Sequence, residues 1–393
     1  MACRAGFRSS AAASGKTPAL MRRKRSKTRS VCSRKSSGPG PNHLKFNQVS
    51  QKESDMRAIV VHKYGPHRDV TSLENFPIPE PGPGQVVVRN KAVGVSFGMS
   101  LAIAGKYQRK TPLPFVPATE AAGIIHSVGP GVTRVAPGDH VMCNVDQGGA
   151  GGFNLTEAIC CHKIPKEMDF GAGAMIVLSY NTSYGALVRR ANLKAGETLL
   201  IHGAAGAVGT AAIEIGKALG ATVIAVAGGE KHCETAHKHG ADHVIDHRQQ
   251  EFRERVLEIT NGRGVDVVYD SIGGDVTHQS IRSLTWEGRL LTIGYACGEI
   301  PKIPANLLLL KNISAMGFNL GHFFGWSPGG KRADYVEVVD EITAGVLKLY
   351  TEGKIKPEVG ASFTLPELNE ALDAVLERKV DGKCVITFGE DDY

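Results

Sequence analysis

The chain has 393 residues with 42% hydrophobic, 22% charged and 47 glycines, longer than one typical core supports and suggestive of two domains. Its +7 formal charge is unevenly spread: residues 1–52 hold 13 Lys and Arg and no acid, and the other 33 bases face all 39 acids for a net −6. No run of about 18 apolar residues occurs, so no membrane span is expected. The eight cysteines lack a disulfide-framework spacing or a C-x-x-C pair, which points to a reducing intracellular compartment and away from a zinc pattern.

In chain order, residues 1–55 form a Ser/Ala/Arg-rich basic segment around Met21-Arg22-Arg23-Lys24-Arg25-Ser26-Lys27. Such a composition suits a mitochondrial transit segment, whose removal would leave an acidic protein. A nuclear-targeting or nucleic-acid-binding run, or a disordered extension before an alternative start at Met56 of a cytoplasmic protein, are the competing readings. From Met56 the pattern becomes short strands, Arg57–Val61, Gln85–Arg89, Ala122–Ile125 and Gly138–Cys143. They are punctuated by Pro79, Pro81, Gly84 and Gly129-Pro130-Gly131, which predicts an irregular β-barrel or sandwich.

A second kind of pattern starts at Leu199-Leu200-Ile201-His202, where a buried strand breaks into Gly203-Ala204-Ala205-Gly206-Ala207-Val208-Gly209 and an apolar helix to Leu219. Glycines there let a backbone approach a pyrophosphate and let helix and strand pack closely. The spacing is G-x-x-G-x-x-G rather than G-x-G-x-x-G, so the turn gains its weight from context. Strands Thr222–Val226 and His243–Ile245 alternate with helices, which predicts a doubly wound parallel sheet. A carboxylate closing the second strand would bond a ribose 2′-OH and repel a 2′-phosphate. Here Ala227-Gly228-Gly229 close it and Glu230, Lys231 and His232 follow, which favours NADP(H), with Glu230 as the residue that would argue for NAD(H) or act only on the helix dipole.

Taken together, the β-rich domain with Gly138-Asp139-His140-Val141, the helix near Leu178–Ala191 and the Ala204–Gly209 turn resemble the medium-chain dehydrogenase/reductase superfamily, specifically its zinc-independent quinone oxidoreductase (zeta-crystallin-like) branch. The resemblance spans about residues 56–390. It includes Pro117–Gly123, Thr182-Ser183-Tyr184, Asp270-Ser271-Ile272-Gly273-Gly274, Gly288–Gly294 and Gly382-Lys383, and Pro304–Asn312 is most similar to the quinone oxidoreductase-like proteins. It implies a GroES-like irregular β-barrel catalytic domain (56–178 and 322–393) and a Rossmann domain (179–321). Zinc-bearing relatives would place a Cys near Ser96 and a His at Thr119 and would add a four-cysteine lobe, so a metal-independent reaction is implied.

The resemblance further implies an NADPH-dependent reductase passing a hydride to a quinone or another activated carbonyl or alkene. Cofactor contacts fall on Ala205, Gly206, Ala207, Val208 and Gly209 at the pyrophosphate, Gly229, Lys231, His232 and His247 near the adenosine ribose, Gly294 near the nicotinamide, and Asn312 at a polar position facing the cofactor, with a cap or turn as its competing reading. Tyr107, in Gly105-Lys106-Tyr107, and Ser96 are the candidate catalytic residues. Related reductases carry Asn-x-x-Asp-x-Tyr where this chain has Ser96, Met99 and Leu101, which implies a more apolar cleft. The segment Asn319–Trp326 is a candidate aromatic border for flat acceptors or packing between domains. Two rival functions are an enoyl-thioester or 2-alkenal reductase and a catalytically weak nucleotide-binding protein contacting RNA through the basic segment. A homodimer is implied by analogy.

Overall fold

The structure, a computed structural model, describes residues 55–393; the basic segment before them, and the readings placed on it, lie outside the described residues. Its first part contains β1 (Asp55–Val61), β2 (Thr71–Pro77), β3 (Gln85–Val95), β4 (Glu120–Val128), β5 (His140–Asn144), β6 (Phe153–Glu157) and β7 (Cys161–Lys163). The middle part contains β8 (Thr198–His202), β9 (Thr222–Ala227), β10 (His243–Asp246), β11 (Val265–Asp270), β12 (Leu284–Thr292) and β13 (Ser314–Gly317), and the last strands are β14 (Val359–Thr364) and β15 (Lys383–Thr387).

One sheet runs β14-β15-β3-β4-β5-β7, with β6 also paired to β3. The long β3 is its spine. It pairs antiparallel with β4 and β6, and Val86, Val87 and Val88 are all buried, because closure of the sheet covers both of its faces. The chain's final strand β15 returns to pair with β3. The barrel is therefore built from both ends of the folded chain.

The other sheet is parallel with order β10-β9-β8-β11-β12-β13. Leu199, Leu200 and Ile201 of β8 are fully buried, as expected of a parallel strand covered by helices on both faces. The order reverses at β8 and β11, and in such sheets the crevice outside the carboxyl ends at that reversal receives the ligand. This is the doubly wound sheet the alternating pattern predicted.

The helix expected near Leu178–Ala191 begins earlier, at Phe170, because the Asp169 side chain accepts from Ala172 N at 3.0 Å and caps it. It continues through wider π turns at Ile176–Tyr180 and Gly185–Arg190. Small residues set its close packing. A Cβ on Gly185 would lie 2.3 Å from the Phe318 ring. Val346 and Leu349 of the helix Val336–Thr351 join the cluster around Leu199 and Ile201, whereas Leu368, Ala371 and Leu372 pack into the barrel.

Candidate active site

The glycine turn carries its geometry in the backbone. Gly203 has φ +65°, a conformation an L side chain rarely adopts. Gly206 is the N-cap of the helix Ala207–Ala218, so no side chain lies over the first-turn N–H groups of Ala207, Val208 and Gly209, which is the arrangement that receives a phosphate. A Cβ on Gly209 would stand 2.2 Å from Gly203 O and 2.8 Å from Ala204 Cα, so glycine is required there for helix and strand to meet. The Ser183 hydroxyl donates to Val208 O at 2.9 Å and shares a 2.9 Å contact with Tyr269 Oη, fixing the helix start. Ala205 O accepts from Gly382 N at 2.7 Å, which ties the turn to the strand entry of β15. These residues fit a dinucleotide pyrophosphate.

At the end of β9, Gly229 adopts φ +90° and its N–H donates to Asp246 Oδ1 at 2.9 Å. That bond and the one from Arg248 N hold the Asp246 carboxyl below its usual range. His247 lies across Gly228: a Cβ there would meet its Nε2 at 2.5 Å. Arg248, absent from the sequence-predicted set, lies as close to Gly229, its Nη1 2.9 Å from where a Cβ would be. Its only sequence signal is a cation directly after His247 beyond the third parallel strand. Lys231 and His232 open the helix Glu230–Lys238 beside Glu230. His232 Nδ1 is bonded to the Asp381 carboxylate, and Lys231 Nζ donates to Lys379 O at 3.2 Å.

Gly294 lies just past β12, where Ile293 N donates to Asp270 O at 2.8 Å, and thus at the carboxyl edge with Gly203 and Ser271. Beneath this edge His202 is buried against Ser280 Oγ at 2.8 Å, and burial pushes its imidazole down to about 4. Asn312 is a correction. It ends the helix Ala305–Lys311 in the left-handed conformation at φ +53° and donates to Glu287 Oε1 at 3.0 Å. Since it lies two residues before β13, it stands at the amino ends of the parallel strands, opposite the crevice, and serves as a cap.

On the barrel side the structure brings Ser96 and Tyr107 together across Gly98, each 3.6 Å from the position of a Cβ there. Ser96 accepts from Met99 N at 3.2 Å as N-cap of the helix Phe97–Ile103, leaving its hydroxyl proton to donate. Tyr107 is half-buried, and desolvation raises its phenol while Arg109 opposes the shift. Met99 departs from the expected apolar cleft wall: it is buried in the barrel core with Ile103. The aromatic border is likewise internal, for Phe324 and Trp326 are buried with Leu320 and Val339 and Trp326 Nε1 donates to Asp146 Oδ1 at 2.8 Å. Among the described residues no group of three or more His, Cys, Asp or Glu is placed to hold a metal ion.

Residues 82–201 match the family described as alcohol dehydrogenase GroES-like domain and residues 207–344 the family described as zinc-binding dehydrogenase. The "Quinone oxidoreductase-like protein 2 homolog" of Nematostella vectensis is 35% identical over 84% of this chain and 88% of its own length. The chain belongs to the medium-chain dehydrogenase/reductase superfamily. Among solved members, a probable oxidoreductase from Mycobacterium abscessus is 36% identical with a TM-score of 0.74, covering 85% of this chain and 99% of that one. Escherichia coli quinone oxidoreductase complexed with NADPH is 28% identical with a TM-score of 0.75, covering 84% and 99%. The superfamily's barrel-plus-Rossmann architecture is the one described above.

Proposed function

We propose that this protein is an NADPH-dependent reductase that delivers a hydride to a quinone or another activated carbonyl or alkene. The observation that carries the reading is the gathering of Lys231, His232, His247 and Arg248 at the carboxyl end of β9, a strand that itself ends in Ala227 and no acid. Lysine and arginine charges with imidazole hydrogen-bonding groups beside them suit a ribose 2′-phosphate. The NADPH complex of the Escherichia coli relative supports the same cofactor.

The reduced nicotinamide, when bound, supplies the hydride. The turn Gly206–Gly209 binds the pyrophosphate through backbone N–H groups, and Gly294 leaves room at the edge where the ring would lie. Tyr107 Oη and Ser96 Oγ are positioned to donate toward oxygen charge that develops on the acceptor, and the raised phenol keeps Tyr107 protonated at neutral pH. The test is NADPH oxidation followed by absorbance with a simple quinone and, separately, with an α,β-unsaturated ketone. Turnover with either supports the reading. NADPH binding without turnover on any acceptor of these classes would leave the nucleotide-binding rival in its place.

We also infer a homodimer through the outer edge of the parallel sheet. There β13 pairs on one side only, with β12, and Leu309, Leu310 and Ile300 are 82%, 67% and 71% exposed. An apolar patch beside an open strand edge suits a second copy of the chain. Light scattering should give twice the chain mass, and Leu309→Lys should shift it toward the monomer; a monomeric wild-type protein would overturn the inference.

A further inference from the structure

Four residues, Lys379 to Gly382, lead into β15 and lie against the cofactor sheet at both ends of the adenosine half of the crevice. At the glycine turn, Gly382 N donates to Ala205 O at 2.7 Å and Gly382 bridges Gly206. At the ribose end, the Asp381 carboxylate takes His232 Nδ1 on one oxygen and the Thr235 hydroxyl at 2.8 Å on the other, with Lys231 Nζ at 4.0 Å. An acid carried by the barrel thus reaches the Lys231 and His232 side chains, which no acid on β9 itself opposes.

Its backbone is held in place from several sides. A Cβ on Gly360 would stand 1.8 Å from Asp381 O, so β14 lies directly against it. Gly382 is tied to Ala205, and the next residue, Lys383, is buried in an ion pair with Glu120. The arm cannot retreat without breaking these contacts together, and Asp381 is itself mostly buried, where a charge is screened less than at an open surface.

Building on the reading of Lys231 and His232 as 2′-phosphate ligands, we propose that Asp381 determines cofactor discrimination by contesting those side chains with the phosphate. A carboxylate beside a dianionic group weakens its binding through like-charge repulsion and by occupying its partners. NADH, which lacks the 2′-phosphate, is spared that competition. Asp381 therefore narrows the gap between NADPH and NADH. The rule that an acid at the second strand's end selects against the phosphate is met here by a residue more than a hundred positions away, from the other domain.

The experiment is calorimetric titration of the full chain and of Asp381→Asn with NADPH and with NADH. Asparagine keeps one acceptor oxygen and the side chain's size, sets an amide donor where the second carboxylate oxygen was, and removes the charge. NADPH should bind the variant about tenfold more tightly, with NADH affinity changed less than about twofold; the NADH arm also reports that the glycine turn is intact. An unchanged or weakened NADPH affinity in Asp381→Asn, with wild-type preference for NADPH present, would overturn this inference alone. No wild-type preference for NADPH would instead overturn the reading on which it rests. His232→Gln adds a second arm. It should weaken NADPH in the wild-type background, and Asp381→Asn should restore less in its presence, since the contested partner is gone; full additivity of the two changes would count against the competition.

Discussion

The two halves of the proposed site are made by different means. On the cofactor side the decisive features are backbone: the positive φ of Gly203, the bare N-cap Gly206 and the 2.2 Å approach that a Cβ on Gly209 would make to Gly203 O. On the proposed substrate side they are two hydroxyls, Ser96 and Tyr107, set around Gly98 on a short helix and its following loop. A backbone site tolerates almost no substitution, because each replacement must fit the same main-chain geometry. A side-chain site is where one fold changes acceptors.

The largest expected effect comes from breaking the backbone side. Gly209→Val forces a branched side chain onto Gly203 O; NADPH binding should become undetectable by calorimetry, and urea unfolding should show a loss of about 3 kcal/mol. Retained binding would mean that the turn is not the pyrophosphate site.

The same side should also carry a pH signature. His202 is folded neutral, with its value pushed from 6.5 to about 4 by burial. Between those values the unfolded chain takes up the proton and the folded one does not, so stability present above pH 6.5 is lost as pH falls toward 4, on the order of 3 kcal/mol in all. His202→Gln should be less stable at pH 7 yet lack this slope, as read from urea midpoints at pH 7 and pH 4.5. An unchanged slope in the variant would remove His202 from the explanation.

The substrate side is sharpened by Tyr107→Phe. If Tyr107 Oη donates to the acceptor, kcat should fall about a hundredfold with NADPH affinity unchanged. A full kcat would leave Tyr107 a packing residue and move the role to Ser96. The smallest effect returns to the adenosine end, where Arg248→Ala should weaken NADPH about fivefold and NADH hardly at all. Equal weakening of both would show that Arg248 supports the loop rather than the phosphate.

What the sequence made legible divides along the same line. Gly203, Gly206 and Gly209 were readable because glycine at fixed offsets after a buried strand reports backbone geometry directly, and the alternation of strands and helices gave the parallel sheet. Asn312 is assigned to the cofactor by the family resemblance, whereas its junction between a helix and the parallel strand β13 sets it at the amino end of the sheet. Met99 was expected to line the cleft until the helix Phe97–Ile103 turned it into the barrel core. Asp381 carries no local signal and Arg248 only its place after His247, since their meaning comes from His232 and Gly229, against which the fold sets them.

The central claim is that the cation set at the end of β9 makes this an NADPH enzyme. Calorimetric titration of the full chain with NADPH and with NADH tests it most directly. The account predicts saturable binding of NADPH and, even against the opposing Asp381, NADH binding weaker by about tenfold. Tighter binding of NADH, or of neither dinucleotide, would contradict it.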